Sequence, residues 1–189
     1  GRTDWADWLE RVTFNALPTQ ITDAFDARQY YQQLNQVQVS RQDRNFVTCY
    51  NGTDQVFGLL AGYPCCTSNL HQGWPKFTRN LWFASEDRGL AALYYSPSTV
   101  TAKVAHGVNV RIIEETNYPF SGDISFSFSI LDKNIKKVAF PFHMRIPGWC
   151  KRAIIRVNGH DWAIGTAGEN RKIYREWKSG DRVEVQFQM

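Results

Sequence analysis

The 189-residue chain has a mass of 21.8 kDa and 43% hydrophobic residues, which suits one large domain or two small ones. Its net charge is +4 with scattered lysines and arginines, so a nucleic-acid partner is not expected, because such proteins carry a basic stripe or a recognisable module. No apolar run reaches the length of about 18 residues that a membrane-spanning helix needs, so no membrane partner is expected either.

The first half of the chain carries helical signals around a polar extended stretch. Residues 3–17 place apolar side chains at helical spacing and predict an amphipathic helix that ends before Pro18. Residues 28–39 (RQYYQQLNQVQV) predict an extended segment whose amides either line a wet cavity or face solvent. Two further helices are predicted, a short one over residues 53–61 and another over residues 69–83.

From about residue 88 the hydrophobic period changes to that of β-strands. Residues 123–131 alternate isoleucine and phenylalanine with serine, which is the pattern of a strand with one buried and one wet face. The dipeptide Asn158-Gly159 follows a β-branched run and predicts a tight hairpin. Further strands are predicted over residues 90–95, 100–104, 108–116, 140–146, 153–157 and 182–187. Strands at this spacing predict an antiparallel sandwich.

The predicted fold class is therefore α+β, with an α-rich part over residues 1–87 and an all-β part over residues 88–189. The sequence opens inside a helical pattern, with neither a cap nor a leader, so we expect it to be a piece of a longer protein. Its cellular location is open on the sequence, and a periplasmic or secreted location is one expectation.

Two of the four cysteines are adjacent, in the segment GYPCCTSNLHQGWPKF at residues 62–77. Adjacent cysteines rarely bond to each other because the small ring strains the peptide. Cys65 and Cys66 are either small buried hydrophobes, or ligands of a soft metal ion such as zinc, or a nucleophile and its neighbour. The Thr-Ser-Asn run that follows suits a helix N-cap, and a helix beginning there would direct its unpaired N–H groups at the thiols.

Spacing alone does not complete a metal site at this pair. Two thiols supply half of the four-ligand shell that zinc usually takes, and Cys49 and His71 are the nearest further ligands along the sequence. The spacing alone favours neither a buried structural role nor a chemical role for the pair.

Eight segments spread over almost the whole chain carry a family resemblance. They are TDWADWLERVTFNALP, QYYQQLNQV, GYPCCTSNLHQGWPKF, LAALYYSPSTVTAKV, EETNYPFSGDISFSF, FPFHMRIPGWC, IIRVNG and YREWKSGDRVEVQF. With its Cys-Cys-x-x-Asn element and its Arg-Ile-Pro-Gly-Trp segment, the chain resembles glycoside hydrolase family 127, the β-L-arabinofuranosidase group. The resemblance implies an (α/α)6-barrel catalytic domain followed by β-sandwich domains, so that residues 1–87 are the end of the barrel and residues 88–189 a sandwich.

The resemblance also implies a retaining exo-glycosidase that releases β-L-arabinofuranose with a zinc-held cysteine. Cys65 matches the nucleophile and Cys66 matches a second zinc ligand, so zinc is the expected cofactor of the intact enzyme and a glycan its expected substrate. Tyr31, Asn35 and Gln36 match the stretch that borders the sugar pocket in relatives, and an exposed polar strand is an equal alternative for them.

No glutamate of this chain suits the acid/base role. A retaining hydrolase needs a carboxyl group about 5–5.5 Å from its nucleophile. Glu10 is expected at the surface, and Glu86, Glu114 and Glu115 fall after the helical part. In the family, the acid/base glutamate and the remaining zinc ligands lie upstream of the segment that matches this chain, so the chain by itself is expected to be inactive.

Other classes of function stay open beside this one. The sandwich and its aromatic residues would also suit a carbohydrate-binding module, or an accessory domain that only braces the barrel. Neither role needs the cysteine pair, which favours the enzyme. The inner face of an incomplete barrel would be open, so a homodimer of the chain is a further expectation.

Overall fold

The computed structural model describes residues 2–32, 36–42, 56–58 and 64–188. The chain divides into two compact units, a larger one made of Gly1–Asp7 with Arg79–Met189 and a smaller one made of Trp8–Thr78. Among the described residues, no helix is both long and apolar enough to cross a membrane.

The α-helices of the described residues are α1 (Thr3–Arg11), α2 (Pro64–Leu70) and α3 (Gly73–Thr78). The strands are β1 (Ala27–Gln29), β2 (Val56–Gly58), β3 (Trp82–Ala84), β4 (Leu90–Ala92), β5 (Ser98–Val104), β6 (Val108–Thr116), β7 (Asp123–Ile130), β8 (Lys137–Arg145), β9 (Ala153–Val157), β10 (His160–Gly165), β11 (Asn170–Lys178) and β12 (Arg182–Phe187). A π-helical turn over Val12–Ala16 and a 3₁₀ turn over Pro18–Gln20 continue α1, so the helix predicted before Pro18 is confirmed with a change of pitch.

For the smaller unit, one sequence prediction is wrong and another is confirmed only in part. Residues 56–58 were predicted as helix and form β2, which pairs antiparallel with β1. Within the described part of the predicted extended stretch, residues 28 and 29 alone are in a strand. The pairing is supported by the Arg28 guanidinium, which lies 5.8 Å from the centre of the Phe57 ring. Tertiary pairing therefore overrides the local helical pattern.

The helix predicted over residues 69–83 is also different in the structure. It is replaced by α2 and α3, and its last residues form β3. Because Pro75 has no N–H group, it fits the first turn of α3, where the N–H would have no intrahelical acceptor. The chain therefore ends one helix at Leu70 and starts the next at Gly73.

The larger unit is a β-sandwich, as predicted. One sheet has six strands in the order β10-β9-β12-β7-β6-β5, and the other has four in the order β11-β8-β4-β3. The pairs of the six-stranded sheet are antiparallel. In the other sheet β4 pairs with β8 in parallel, which the antiparallel prediction did not include. The predicted hairpin is confirmed, since Asn158 and Gly159 have φ of 52° and 78° between β9 and β10.

Aromatic side chains from both sheets fill the core of the sandwich. Trp177 on β11 stacks on Phe128 of β7, with ring centres 4.2 Å apart and planes 6° from parallel. Its indole Nε1 donates a hydrogen bond of 2.9 Å to the Phe140 carbonyl. Phe126 and Phe142 meet edge to face at 5.0 Å. The two ring contacts join the two sheets.

The first turns of α1 are part of the larger unit. Asp7 accepts hydrogen bonds from Arg145 Nη1 and from the Gly148 N–H, and Arg145 is fully buried with its Nε donating to the Leu93 carbonyl at 2.6 Å. Thr3 Oγ1 donates to the Gly168 carbonyl at 2.7 Å. A buried guanidinium needs such a partner, so the start of the chain completes the sandwich. The division into domains at residue 88 stays a prediction.

Candidate active site

The cysteine pair lies in the first turn of α2, which begins at Pro64. The Thr-Ser-Asn run that was predicted as the N-cap is therefore inside the helix, and that prediction is wrong. Proline is favoured at the first helical position because its fixed φ suits the helix and its missing N–H is not needed there. The pair still lies near N–H groups that have no acceptor within the helix.

Cys65 is exposed, so it is not the small buried hydrophobe that the sequence left open. Asn69, one turn further along the same face of α2, donates from Nδ2 to the Cys65 carbonyl at 2.7 Å. Gln72 donates from Nε2 to the Ser68 carbonyl at 3.1 Å. The thiol therefore lies at the end of an exposed polar helix face. The side chain of Cys66 is outside the described part of the structure, and so is Cys49.

The predicted sugar-contacting residues follow β1. Tyr31 is half-buried and meets Tyr30 edge to face, with ring centres 4.8 Å apart. Gln36 donates from Nε2 to the Thr19 carbonyl at 3.0 Å, which ties its segment to the 3₁₀ turn. Asn35 lies outside the described residues. Cys65, Tyr31 and Gln36 all belong to the smaller unit.

A small cavity lies beside Gln36 in this unit. Residues 18, 21–23 and 37–39 line it, and its volume is about 80 Å³. Ligand pockets usually measure about 300–1,000 Å³, so this cavity by itself does not accommodate a sugar.

Glu10 is buried, with 6% of its surface exposed, and its predicted surface position is wrong. The reason lies in the orientation of α1. Trp5 and Trp8 of the apolar stripe are each 64% exposed, while the stripe that carries Glu10 and Ala6 faces inward. In the described part of the chain, the apolar stripe of α1 is therefore largely exposed.

Glu114 is a buried carboxyl group in the sandwich, on the inward face of β6. It accepts hydrogen bonds from the Ser96 N–H at 3.1 Å and from Ser98 Oγ at 3.0 Å. Ser98 Oγ in turn accepts from Trp82 Nε1 at 2.9 Å. Burial raises the pKa of Glu114 to about 8, and the two hydrogen bonds oppose that rise. Glu114 belongs to the larger unit, whereas Cys65 belongs to the smaller one.

This pKa predicts a pH dependence of stability. Between the ordinary pKa of 4.5 and the raised value of about 8, folded Glu114 keeps a proton that the unfolded chain releases. The free energy of unfolding should therefore fall as the pH rises through this window, at up to about 1.4 kcal/mol per pH unit. We expect Glu114→Gln to remove this slope in urea unfolding measured over a pH series. Glu115→Gln, at the exposed neighbouring position, should keep it, and parallel profiles of wild type and Glu114→Gln would refute the assignment.

A second polar cluster, which the sequence did not reveal, joins the β3–β4 turn to β8. His143 Nε2 lies 3.0 Å from Asp87 Oδ1, and Ser85 Oγ donates to the same oxygen at 2.6 Å. These hydrogen bonds lower the pKa of Asp87, and the one from Ser85 has the largest effect. Desolvation of the carboxylate opposes the shift. Because 56 positions separate Asp87 from His143, no local spacing could have indicated the pair.

Comparison with known structures places this fold among glycoside hydrolases. A glycoside hydrolase superposes with a TM-score of 0.81 at 22% identity, over 100% of this chain and 30% of its own. Ara127N-Se, a GH127 β-L-arabinofuranosidase from Geobacillus stearothermophilus T6, gives 0.77 at 24% identity, over 100% of this chain and 28% of its own. A GH127 β-arabinofuranosidase gives 0.73 at 22% identity, over 100% and 29%. At these identities the likeness shows the fold alone, and the chain spans less than a third of each protein.

The family is shown by sequence. The profile described as "Beta-L-arabinofuranosidase, GH127 middle domain" matches residues 89–189, which is more than half of the chain. The chain therefore belongs to glycoside hydrolase family 127, and the predicted resemblance is confirmed. No protein of curated function matches the chain.

Proposed function

We propose that this chain is the part of a family 127 glycoside hydrolase that joins the end of an (α/α)6 barrel to the middle sandwich and supplies the cysteine nucleophile. The observation that carries the proposal is the exposed Cys65 in the first turn of a helix of a family 127 chain. The substrate class is β-L-arabinofuranosides or related plant glycans.

The exposed face of α1 supports the barrel assignment for residues 1–87. Trp5, Trp8, Leu9 and Val12 form one apolar stripe, and each is more than a third exposed. An amphipathic helix is stabilised mainly by packing such a stripe against neighbours. In the proposed barrel, neighbouring helices cover this stripe.

The donor chemistry of the cysteine pair fits zinc. Thiolates are soft ligands that zinc prefers, and Cys65 and Cys66 are consecutive at the start of α2. In the described part of the chain no group of three or more His, Cys, Asp or Glu residues could hold a metal ion. The proposal takes the remaining ligands from other parts of the enzyme. When bound, zinc would keep the sulfur deprotonated at neutral pH and fix its direction.

In the proposed reaction, Cys65 Sγ attacks the anomeric carbon of the terminal sugar. The bond from that carbon to the leaving oxygen breaks, and a carboxylic acid elsewhere in the enzyme gives the oxygen its proton. Water then attacks the thioglycosyl carbon, the carboxylate takes a proton from the water, and the Cys65 thiolate leaves. Two displacements at one carbon retain its configuration.

The other residues proposed for the site would bind the metal or the substrate without taking part in the chemistry. Cys66 would bind the metal beside Cys65. Tyr31, Asn35 and Gln36 would offer a phenol and two amides to the hydroxyls of the sugar, as such groups both donate and accept hydrogen bonds.

The test uses the intact enzyme and an aryl β-L-arabinofuranoside. We expect hydrolysis with retention, loss of activity after treatment with a strong chelator, and recovery when zinc is restored. The 189-residue chain alone should show no hydrolysis, because it supplies two of the four expected zinc ligands. An intact protein that binds glycans but neither retains zinc nor hydrolyses any aryl glycoside would instead be a binding or bracing module.

A further inference from the structure

A shallow trough runs along the outer face of the six-stranded sheet. Strand β7 buries isoleucine and phenylalanine in the sandwich and turns Ser125, Ser127 and Ser129 outward. Its neighbours β12 and β6 lie on its two sides. Since serine is short, longer outward side chains of the neighbouring strands form the walls of the trough.

The strand register brings opposite charges into one row across this face. Ser125 lies between Glu184 on β12 and Glu115 on β6. Glu184 also pairs with Arg156 on β9, and Arg156 pairs with Asp161 on β10, where its Nε lies 2.9 Å from Asp161 Oδ1. The row therefore alternates between acceptors and donors of hydrogen bonds, and its hydroxyl lies between two carboxylates.

The row borders a groove of about 390 Å³, within the range of about 300–1,000 Å³ that is typical of ligand sites. Ser125 lines this groove, and its Oγ is buried with no hydrogen-bond partner in the described structure. Because this oxygen is not accessible to solvent, a ligand in the groove would instead meet the carboxylate and guanidinium groups that line it.

The charges of the groove select the class of ligand. Three carboxylates line it, those of Glu115, Asp123 and Glu184, against the two guanidinium groups of Arg156 and Arg182, which leaves a net charge of −1. A nucleic acid or an anionic lipid would need a positive field. No metal-binding group of three carboxylates is present among the described residues. A neutral sugar suits the site, because each sugar hydroxyl can accept from a guanidinium and donate to a carboxylate.

We propose that this groove binds a neutral oligosaccharide, which gives the sandwich a glycan-contact surface of its own in the unit that does not hold Cys65. The inference rests on the proposed function insofar as a glycan is the substrate of the intact enzyme. It assigns to the sandwich a second contact with the same class of molecule.

The test is an NMR titration of the full ¹⁵N-labelled chain with arabinotriose and xylotriose, and with trigalacturonate as a charged comparison. We expect saturable shifts of the Ser125 and Glu184 amides with the neutral trisaccharides and weaker binding of trigalacturonate. Ser125→Leu should abolish binding by filling the groove. Glu184→Gln, which changes the charge but hardly the shape, should weaken it about tenfold, since a hydrogen bond to a charged group is lost.

Ser129→Leu is the matched control, because Ser129 is on the same face of β7 but does not line the groove. It should bind as wild type does. Binding unaffected by both Ser125→Leu and Glu184→Gln, or shifts confined to the smaller unit, would overturn the proposal, and so would the absence of any saturable shift. If Ser125→Leu does not fold, Glu184→Gln decides. Cys65→Ala must leave this binding unchanged, so a failure of the groove is distinguished from a failure of the hydrolase assignment.

Discussion

Replacement of Cys65 by alanine in the intact enzyme is expected to lower kcat by roughly 10⁴-fold or more, the scale seen when a covalent nucleophile is removed. The physical reason is that no other group can form the bond to the anomeric carbon. Because Cys65 is also a proposed zinc ligand, the melting temperature of the zinc-loaded enzyme should fall, whereas that of the chelated enzyme should change little, since the truncation of an exposed side chain leaves no buried cavity. The measurement is steady-state hydrolysis of an aryl β-L-arabinofuranoside, with thermal unfolding beside it.

Ser68→Ala is the matched control for this prediction. Ser68 is exposed on the same helix, and its alanine variant should keep kcat close to the wild-type value. Mass spectrometry of the wild-type enzyme during turnover should show a glycosyl adduct on the peptide that contains Cys65. Full activity of Cys65→Ala, or an adduct on another residue, would show that the nucleophile is misassigned.

Replacement of Trp177 by alanine is expected to destabilise the sandwich by roughly 3–5 kcal/mol. Trp177 is 1% exposed, stacks on Phe128, and donates its indole N–H to the Phe140 carbonyl. Its removal leaves a cavity between the two sheets and a buried carbonyl without its side-chain donor. The loss would be measured as a change in the free energy of unfolding in urea.

Two further variants separate the contributions of Trp177. Trp177→Phe keeps a ring against Phe128 and loses the hydrogen bond, so it should cost less than alanine, with about 0.5–1.5 kcal/mol of the loss coming from that hydrogen bond. Tyr174→Ala changes an aromatic side chain on the same strand that is 65% exposed, and it should stay within about 0.5 kcal/mol of wild type. Equal losses for Trp177→Ala and Tyr174→Ala would contradict the packing argument.

The strands inside the sandwich could be predicted, whereas of the four at its edges only β5 was. Strands β6, β7, β9 and β12 have neighbours on both sides in the six-stranded sheet, and their alternation of buried and wet residues is clear. The missed strands β3, β10 and β11 are all edge strands. An edge strand tends to carry charges that discourage further pairing, which blurs the period of two in a sequence such as NRKIYREWK.

The helical part was harder to predict from the sequence, because the contacts that determine its structure join residues far apart in the chain. Val56 and Phe57 form a strand because β1 pairs with them, and the sequence around them does not encode that partner. The exposed apolar stripe of α1 shows the same limit, since periodicity finds a stripe but not what covers it.

The candidate site could be predicted only in part, because it too depends on contacts between residues that are distant in the sequence. Adjacency drew attention to Cys65 and Cys66, but the start of their helix depends on Pro64 rather than on the capping residues after them. The groove of the sandwich was not found at all, because its residues lie on four strands and meet only through the register. The sequence predicted the solvent-facing serines of β7, but it did not predict which strands lie beside β7.

The bond between Asp7 and Arg145 bears on how this enzyme can be cut into pieces for study. A shortened protein that begins at residue 89, where the family match begins, would lack both that carboxylate and strand β3. Buried Arg145 would then lack its ion-pair partner, at a cost of roughly 3–5 kcal/mol. Strand β4 would become an unpaired edge strand, which favours aggregation. The sandwich is therefore built from two separate segments of the sequence. A soluble truncated protein would need residues 1–7 restored, or Arg145 replaced by a neutral residue.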